Sequence, residues 1–279
     1  MRFKRRYAIL AFASVAALAI GGTAHAVTNN VSSIPVWNVT PSALPGAGTG
    51  GSGTGTLAPV QLDIRVHTDF LHPGVKTQGG YVKQVQLLFD DDVKLNLAGV
   101  PNCTATFSGG TTIAAAWNTC GPGAGAAHNA YLSPPTAVSG LSSTAPASNF
   151  GGCTLVFRGP DSGANPTVLL FARVTTTPNS TPNCSSPATN NTGNTTVTLR
   201  GTITTEPAAS DFGKRLTVPG IDQLPLPLDD FTALTKRSSV ITARCHDTNK
   251  ILNMKGVFQY SGSGEATDTV NHSQACTVG

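Results

Sequence analysis

Three consecutive aspartates, Asp90, Asp91 and Asp92, form the densest cluster of potential ligands in the chain. Carboxylate oxygens at short range are the ligands that Ca²⁺ prefers in proteins. The surrounding residues lack the Gly and Glu that complete an EF-hand-type loop. A polar turn, or a charged edge that discourages sheet-to-sheet association, explains the same run. We favour the turn and keep calcium as the single candidate cofactor.

Other titratable residues are spaced poorly for catalysis. Asp229 and Asp230 are adjacent and would point to opposite faces of a strand, whereas glycoside hydrolysis needs two carboxylates across the sugar, about 5–10 Å apart. His67 and His72 flank a turn that contains Asp69, and His246 neighbours Asp247, but only the fold could bring a serine such as Ser261 or Ser263 to them. We favour solvated surface histidines. No G-x-S-x-G, H-E-x-x-H, Walker or dinucleotide motif occurs. The sequence therefore assigns no catalytic residue and favours a protein that is not an enzyme.

Aromatic residues are few and scattered. Exposed Trp or Tyr side chains could stack on a sugar, and buried ones would pack in a core or against a disulfide, which is commoner. The candidates are Trp37, Trp117, Tyr131, Phe231 and Tyr260. Their positions leave carbohydrate binding open as an alternative.

The six cysteines indicate a disulfide-stabilised exported protein, because an even number of cysteines in such a chain implies bridges. Their spacing matches no zinc finger. We predict the sequential pairs Cys103–Cys120, Cys153–Cys184 and Cys245–Cys276, because each pair brackets a compact, turn-rich segment.

The first 26 residues have the three parts of a secretory signal peptide. Basic residues at Arg2 and 4–6 precede an apolar stretch from Tyr7 to Ile20, and Ala24-His25-Ala26 fits the small-x-small cleavage pattern. The apolar stretch is short for a membrane span, and no longer one follows, so we predict no transmembrane span in the mature chain. An uncleaved anchor is the alternative. The predicted localisation is secreted or at the cell surface.

The charge balance argues against a nucleic-acid partner. Four of the 18 Lys and Arg residues lie in the predicted signal, which leaves 14 basic residues against 14 Asp and Glu. Basic residues and aromatics are not interleaved in any run, so nucleic-acid binding has no electrostatic footprint. Cell-envelope components or polysaccharide are the partners that remain.

Short alternating segments predict strands, and Gly, Pro and Asn clusters between them predict turns. The stretch from Leu62 to Val66 alternates clearly, as does Val197 to Ile203, where Gly201 marks a bulge or a close approach. Val168 to Val174 is apolar on both faces and is predicted to be a central strand. Thr111 to Trp117 could be a short helix or a strand. The expected fold is all-β, an antiparallel β-sandwich of jelly-roll or immunoglobulin-like type with few or no helices.

The chain divides into three predicted parts. Residues 1–26 are the signal peptide, and residues 27–57 form an N-terminal segment that ends in the glycine- and threonine-rich stretch Ser42–Leu57, expected to be a flexible spacer. Residues 58–279 form the sandwich, either as one large domain or as two β subdomains.

Several segments together resemble a group of secreted β-rich proteins of unknown function that is common in high-GC Gram-positive bacteria. They include VKLNLAGVPNC (Val93–Cys103), TVLLFARV (Thr167–Val174), FGKRLTVPGI (Phe212–Ile221), LPLDDFTAL (Leu226–Leu234) and ITARC, which ends at Cys245. The resemblance covers most of the chain after the spacer and implies export and a β fold, with no activity or site residue to carry over. We expect an exported, non-enzymatic structural or binding protein, with a secreted carbohydrate-active enzyme or a carbohydrate-binding module as the alternative. A fold that places Asp63, Asp161 or Asp229 opposite a second carboxylate would favour the enzyme.

Overall fold

The computed structural model describes residues 33–40, 42–45, 56–68, 81–122, 129–141, 149–175, 184, 193–208, 210–223, 228–235, 237, 240–245, 250–261 and 267–278. The predicted signal peptide and residues 46–55 of the predicted spacer lie outside them. The strands are β1 Ser33–Thr40, β2 Ala43–Leu44, β3 Ala58–Pro59, β4 Gln61–Thr68, β5 Tyr81–Asp90, β6 Val93–Leu95, β7 Tyr131–Leu141, β8 Asn149–Ser162, β9 Asn165–Val174, β10 Thr195–Thr205, β11 Phe212–Pro219, β12 Leu228–Thr235, β13 Ile241–Ala243, β14 Ile251–Ser261, β15 Thr267–Ala275 and β16 Thr277–Val278. One α-helix, α1 (Ile113–Cys120), and a 3₁₀ turn at Ile221–Gln223 complete the described elements. The predicted all-β fold is confirmed.

Eleven strands form one antiparallel sheet in the order β1-β4-β12-β7-β8-β9-β10-β11-β5-β14-β15. The sheet curls until its edge strands meet. The Gln274 side chain on β15 accepts a hydrogen bond from the Val39 amide of β1 at 2.6 Å and donates one to the Val39 carbonyl at 2.9 Å. The two halves of the sheet thus face each other across a shared core, which is the predicted sandwich arrangement. Within the described residues, no helix has the length and apolar character to cross a membrane.

The interior core follows from strand alternation. On β14, Leu252, Met254 and Phe258 are buried, and the polar residues between them are less buried. Side chains of alternate strand residues lie on opposite faces, so this pattern turns one face to the core. Gly201 on β10 is a close approach, as predicted, because a Cβ atom there would lie 2.8 Å from both Leu216 and Val168 side-chain carbons.

The stretch predicted to be a central strand is β9, the sixth strand of the eleven. Val168 packs in the interior core, whereas Leu169 and Phe171 pack in a second apolar cluster on the outer face. Burial on both faces explains why this strand is continuously apolar.

A set of short strands, which we name the cap, packs onto the interior core. It consists of β3, β13 and β6 in one sheet and the parallel pair β16 and β2. Val93, Ile241 and Leu44 are its buried members. The 27–57 segment therefore contributes two strands, β1 and β2, and the folded part of the chain begins before Ala58 because Val39 and Leu44 are both buried.

The three disulfides are the predicted sequential pairs. Cys103–Cys120 closes a separation of 17 residues, and Cys153–Cys184 and Cys245–Cys276 each close a separation of 31. The Cα atoms lie 5.4–5.7 Å apart, which is the usual spacing for a bridge. Two bridges contribute to the outer cluster and one to the interior core.

Candidate functional site

The acidic turn lies between β5 and the cap. Asp90 is buried, and both of its carboxylate oxygens accept backbone hydrogen bonds, one from the Asp92 amide at 2.9 Å and one from the Asn253 amide at 2.7 Å. Burial, with a smaller contribution from the charges of Asp91 and Asp92, raises the pKa of Asp90, and the two backbone hydrogen bonds lower it, so that the net pKa is about 6. Asp90 thus joins the turn to β14.

Asp92, which directly precedes β6 of the cap, forms a buried ion pair with Arg244, which directly follows β13. Its Oδ1 accepts a hydrogen bond from Arg244 Nε at 2.6 Å, and both side chains are at most 6% exposed. The Arg244 amide also donates to the Asp92 carbonyl at 3.2 Å, and the Lys94 ammonium donates to the carbonyl of Asp91. Arg244 directly precedes Cys245, so the pair and the bridge to Cys276 fasten the same part of the cap.

The structure brings the three predicted calcium ligands together, with one carboxylate oxygen from each within 4.8 Å of the others. Two of the three carboxylates are already bonded to donors of the protein itself. This arrangement fits the structural turn that we favour, and calcium binding stays a prediction.

The carboxylates considered for sugar hydrolysis are distributed among local ion pairs. Asp63 accepts from Arg65 at 3.1 Å, and Asp161 accepts from Arg158 at 3.0 Å. The side chains of Asp229 and Asp230 lie outside the described residues, as do those of His67, His72 and His246.

The outer cluster is covered by a segment that we name the outer lobe, residues 101–122 and 129–130. Its helix α1 begins after Thr112, whose side chain accepts a hydrogen bond from the Ala115 amide at 3.0 Å, a standard N-terminal cap. The helix ends at Gly121, where a Cβ atom would lie 2.4 Å from the Trp117 carbonyl oxygen and 2.8 Å from an indole carbon. Only glycine permits the Trp117 ring to lie against this turn. The ambiguous 111–117 stretch is thus helical from Ile113.

Aromatic rings fix the lobe to the sheet. Phe107 packs against Phe171 with ring centroids 4.7 Å apart and against Phe157 at 6.1 Å. Two backbone hydrogen bonds also join the lobe to β8. The Cys103 amide donates to the Arg158 carbonyl and the Arg158 amide donates to the Ala130 carbonyl, both at 2.8 Å. The lobe is therefore docked on the central strands of the sheet.

Three arginines bind the backbone of the lobe and its borders. Arg158 Nη1 on β8 donates to the carbonyls of Leu97 and Val100. Arg173 on β9 donates to the carbonyls of Gly193 and Thr111. The third is Arg237. The sequence analysis predicted none of these contacts, although a lone arginine in an apolar strand, as in VFRG and FARV, could have indicated two of them.

Arg237 belongs to what we name the aromatic–arginine group, together with Trp117 and Tyr131. Arg237 Nη1 donates to the carbonyls of Asn129 at 2.8 Å and Tyr131 at 3.2 Å, and its guanidinium carbon lies 5.7 Å from the centre of the Tyr131 ring. The Trp117 and Tyr131 rings are 5.6 Å apart and tilted by 59°. All three side chains are half-buried. The sequence singled out both aromatics, but only the fold shows that Trp117 packs against Tyr131 and that Tyr131 contacts Arg237.

No protein-family model, curated protein or solved structure matches this chain. The geometry of its own side chains is thus the basis for assigning a function.

Proposed function

We propose that this chain is an exported, non-enzymatic binding protein that acts at the cell surface or in the extracellular space. The observation that carries the proposal is the aromatic–arginine group, which combines two half-buried aromatic rings with a guanidinium that is bonded to the backbone of Asn129 and Tyr131. Tyr, Trp and Arg are the side chains most often responsible for binding energy at recognition surfaces.

The support beneath this group suits a binding role. The helix that carries Trp117 ends at Cys120, which is bridged to Cys103. The lobe is bonded to the central strands through the backbone of Arg158 and the side chain of Arg173. Rigid elements hold recognition side chains more precisely than unsupported loops do. Export is supported by the signal-like first 26 residues and by the three bridges, which persist in oxidising compartments.

The alternative, a secreted carbohydrate-active enzyme, is less favoured. Its chemistry needs two carboxylates across a sugar. The two candidate carboxylates whose side chains are described are instead bonded to nearby arginines, Asp63 to Arg65 and Asp161 to Arg158. These pairs support local structure.

Co-sedimentation with cell envelopes of the producing organism distinguishes the binding protein from the carbohydrate-active enzyme. We expect the purified exported protein to co-sediment saturably and to release no reducing ends. The matched controls are Asp63→Asn and Asp161→Asn, which should leave sedimentation unchanged. Release of reducing ends that a single carboxylate substitution abolishes would replace the proposal with the enzymatic alternative, and absence of saturable binding would overturn it.

A further inference from the structure

We infer that the aromatic–arginine group is a binding site for a saccharide that carries a carboxylate, such as a uronic acid. This inference rests on the proposed binding function and names its ligand class.

The two aromatic rings of the site would contact the sugar ring of the ligand. Trp117 has one part of its indole against Gly121, and both it and Tyr131 keep a partly exposed surface. Aromatic side chains present an apolar face beside a polar tip, and here the indole N–H and the phenol O–H are the tips. The apolar C–H face of a sugar ring packs on such a surface while its hydroxyls bond at the edge.

Arg237 supplies the preference for a carboxylate. Its hydrogen bonds to the described residues all use Nη1, so Nε and Nη2 have no partner within the described part of the chain. A guanidinium presents its donors in a planar fork that matches a carboxylate bidentately. Because Nη1 is fixed by two carbonyls, the remaining donors are held in position before any ligand binds.

Asn129 is the residue whose backbone carbonyl holds Arg237. Its side-chain Oδ1 is buried with no hydrogen-bond partner among the described residues. A buried acceptor without a donor is costly, so a side-chain rearrangement on binding that gives Oδ1 a donor would be favoured. The fork of donors and the two rings together fit a ligand with a carboxylate and an apolar face.

Two other groups of polar side chains give weaker evidence of a ligand site. The carboxylates of the acidic turn are bonded to donors of the protein itself. The His272 Nδ1 atom is buried without a hydrogen-bond partner among the described residues, but one such atom does not define a ligand.

The test uses fluorescence, because the protein contains two tryptophans and Trp37→Phe leaves Trp117 as the single reporter. Oligomers of polygalacturonate are titrated into this protein, and dextran of matched size is the neutral probe. We expect the acidic oligomer to change the Trp117 emission saturably and to bind at least about tenfold more tightly than dextran.

Two substitutions test the recognition itself. Arg237→Lys keeps the charge but lacks the fork, and Asn129→Asp places a carboxylate beside Arg237 that competes with the ligand. Each should weaken binding of the acidic oligomer by at least about tenfold. Asn271→Asp, on the exposed face of β15, adds the same charge elsewhere and should bind as the parent does.

The outcomes distinguish this inference from the proposed function. Equal affinity for dextran and polygalacturonate, or unchanged affinity in both Arg237→Lys and Asn129→Asp, would overturn the inference. If envelope sedimentation persists in those variants, the binding function stands and its site lies elsewhere. Far-UV circular dichroism of each variant shows that the fold is retained.

Discussion

The cap and the outer lobe are fastened to the same sheet in different ways. In the cap, Asp92 and Arg244 are charged side chains removed from water and paired with each other. At the outer lobe, Arg158 of β8 and Arg173 of β9 are less buried, and each donates to two neutral backbone carbonyls, although Arg158 also pairs with the exposed Asp161. Removing one partner of a buried pair leaves an unpaired charge, whereas losing one donor to a carbonyl at a wetter site leaves a group that water can reach. The cap should therefore depend on single charges, and the lobe on its bridge.

The largest effect is expected from Arg244→Met. The substitution leaves the Asp92 carboxylate buried without its guanidinium and should lower the free energy of unfolding by about 3–5 kcal/mol. Urea denaturation measures this loss. The surface pair provides the matched control, because Arg65 is 64% exposed in its side chain and Arg65→Met should cost less than about 1 kcal/mol. Adding Asp92→Leu to Arg244→Met should restore most of the stability, and a further loss instead would show that the pair is not the source.

The next effect is expected from removing the lobe's bridge with Cys103→Ala and Cys120→Ala. A closed loop of 17 residues contributes about 3 kcal/mol by restricting the unfolded chain. We expect the loss to be local, so that the amides of Ala116 and Gly121 exchange hydrogen faster while the Met254 amide of β14 does not. Equal acceleration at Met254 would contradict a separately fastened lobe.

The difference between the regions also explains what the sequence could predict. The strands at Leu62–Val66 and Val168–Val174 could be predicted because the burial of one or both faces of a strand leaves a pattern in residues that are adjacent in the sequence. The bridges were predictable because each closes a short segment. The ion pair between Arg244 and Asp92 could not be predicted from a local pattern, because the two residues are 152 positions apart in the sequence. The contact between Tyr131 and Arg237 likewise joins residues that are 106 positions apart, so no local pattern in the sequence indicates it.

A third prediction concerns the pH dependence of the cap. The pKa of Asp90 is about 6 in the folded protein against 3.8 for an ordinary aspartate, so the folded state binds this proton more tightly. Its contribution to stability is therefore complete below about pH 4 and is lost as the pH rises through 6. The loss should be about 2–3 kcal/mol between pH 4 and pH 7.

Urea denaturation across this pH range, compared between the native protein and Asp90→Asn, isolates the contribution. The stability difference between them should change by about the predicted amount, whereas Asp161→Asn, at an exposed local pair, should track the native protein. A constant difference between the native protein and Asp90→Asn would contradict the assignment to Asp90.

The smallest effect is expected from calcium. Binding at the acidic turn would have to compete with the Asn253 and Asp92 amides at Asp90 and with Arg244 at Asp92. A site with a millimolar dissociation constant would stabilise the protein by about 1 kcal/mol at a several-fold excess of calcium, which corresponds to a shift of about 2–4 °C in the melting temperature. We expect a shift below about 1 °C, equal to that given by magnesium. A larger shift with calcium that disappears in the Asp90→Ala, Asp92→Ala double variant would show that the turn binds the ion, and that its carboxylates can exchange the protein's own donors for a ligand.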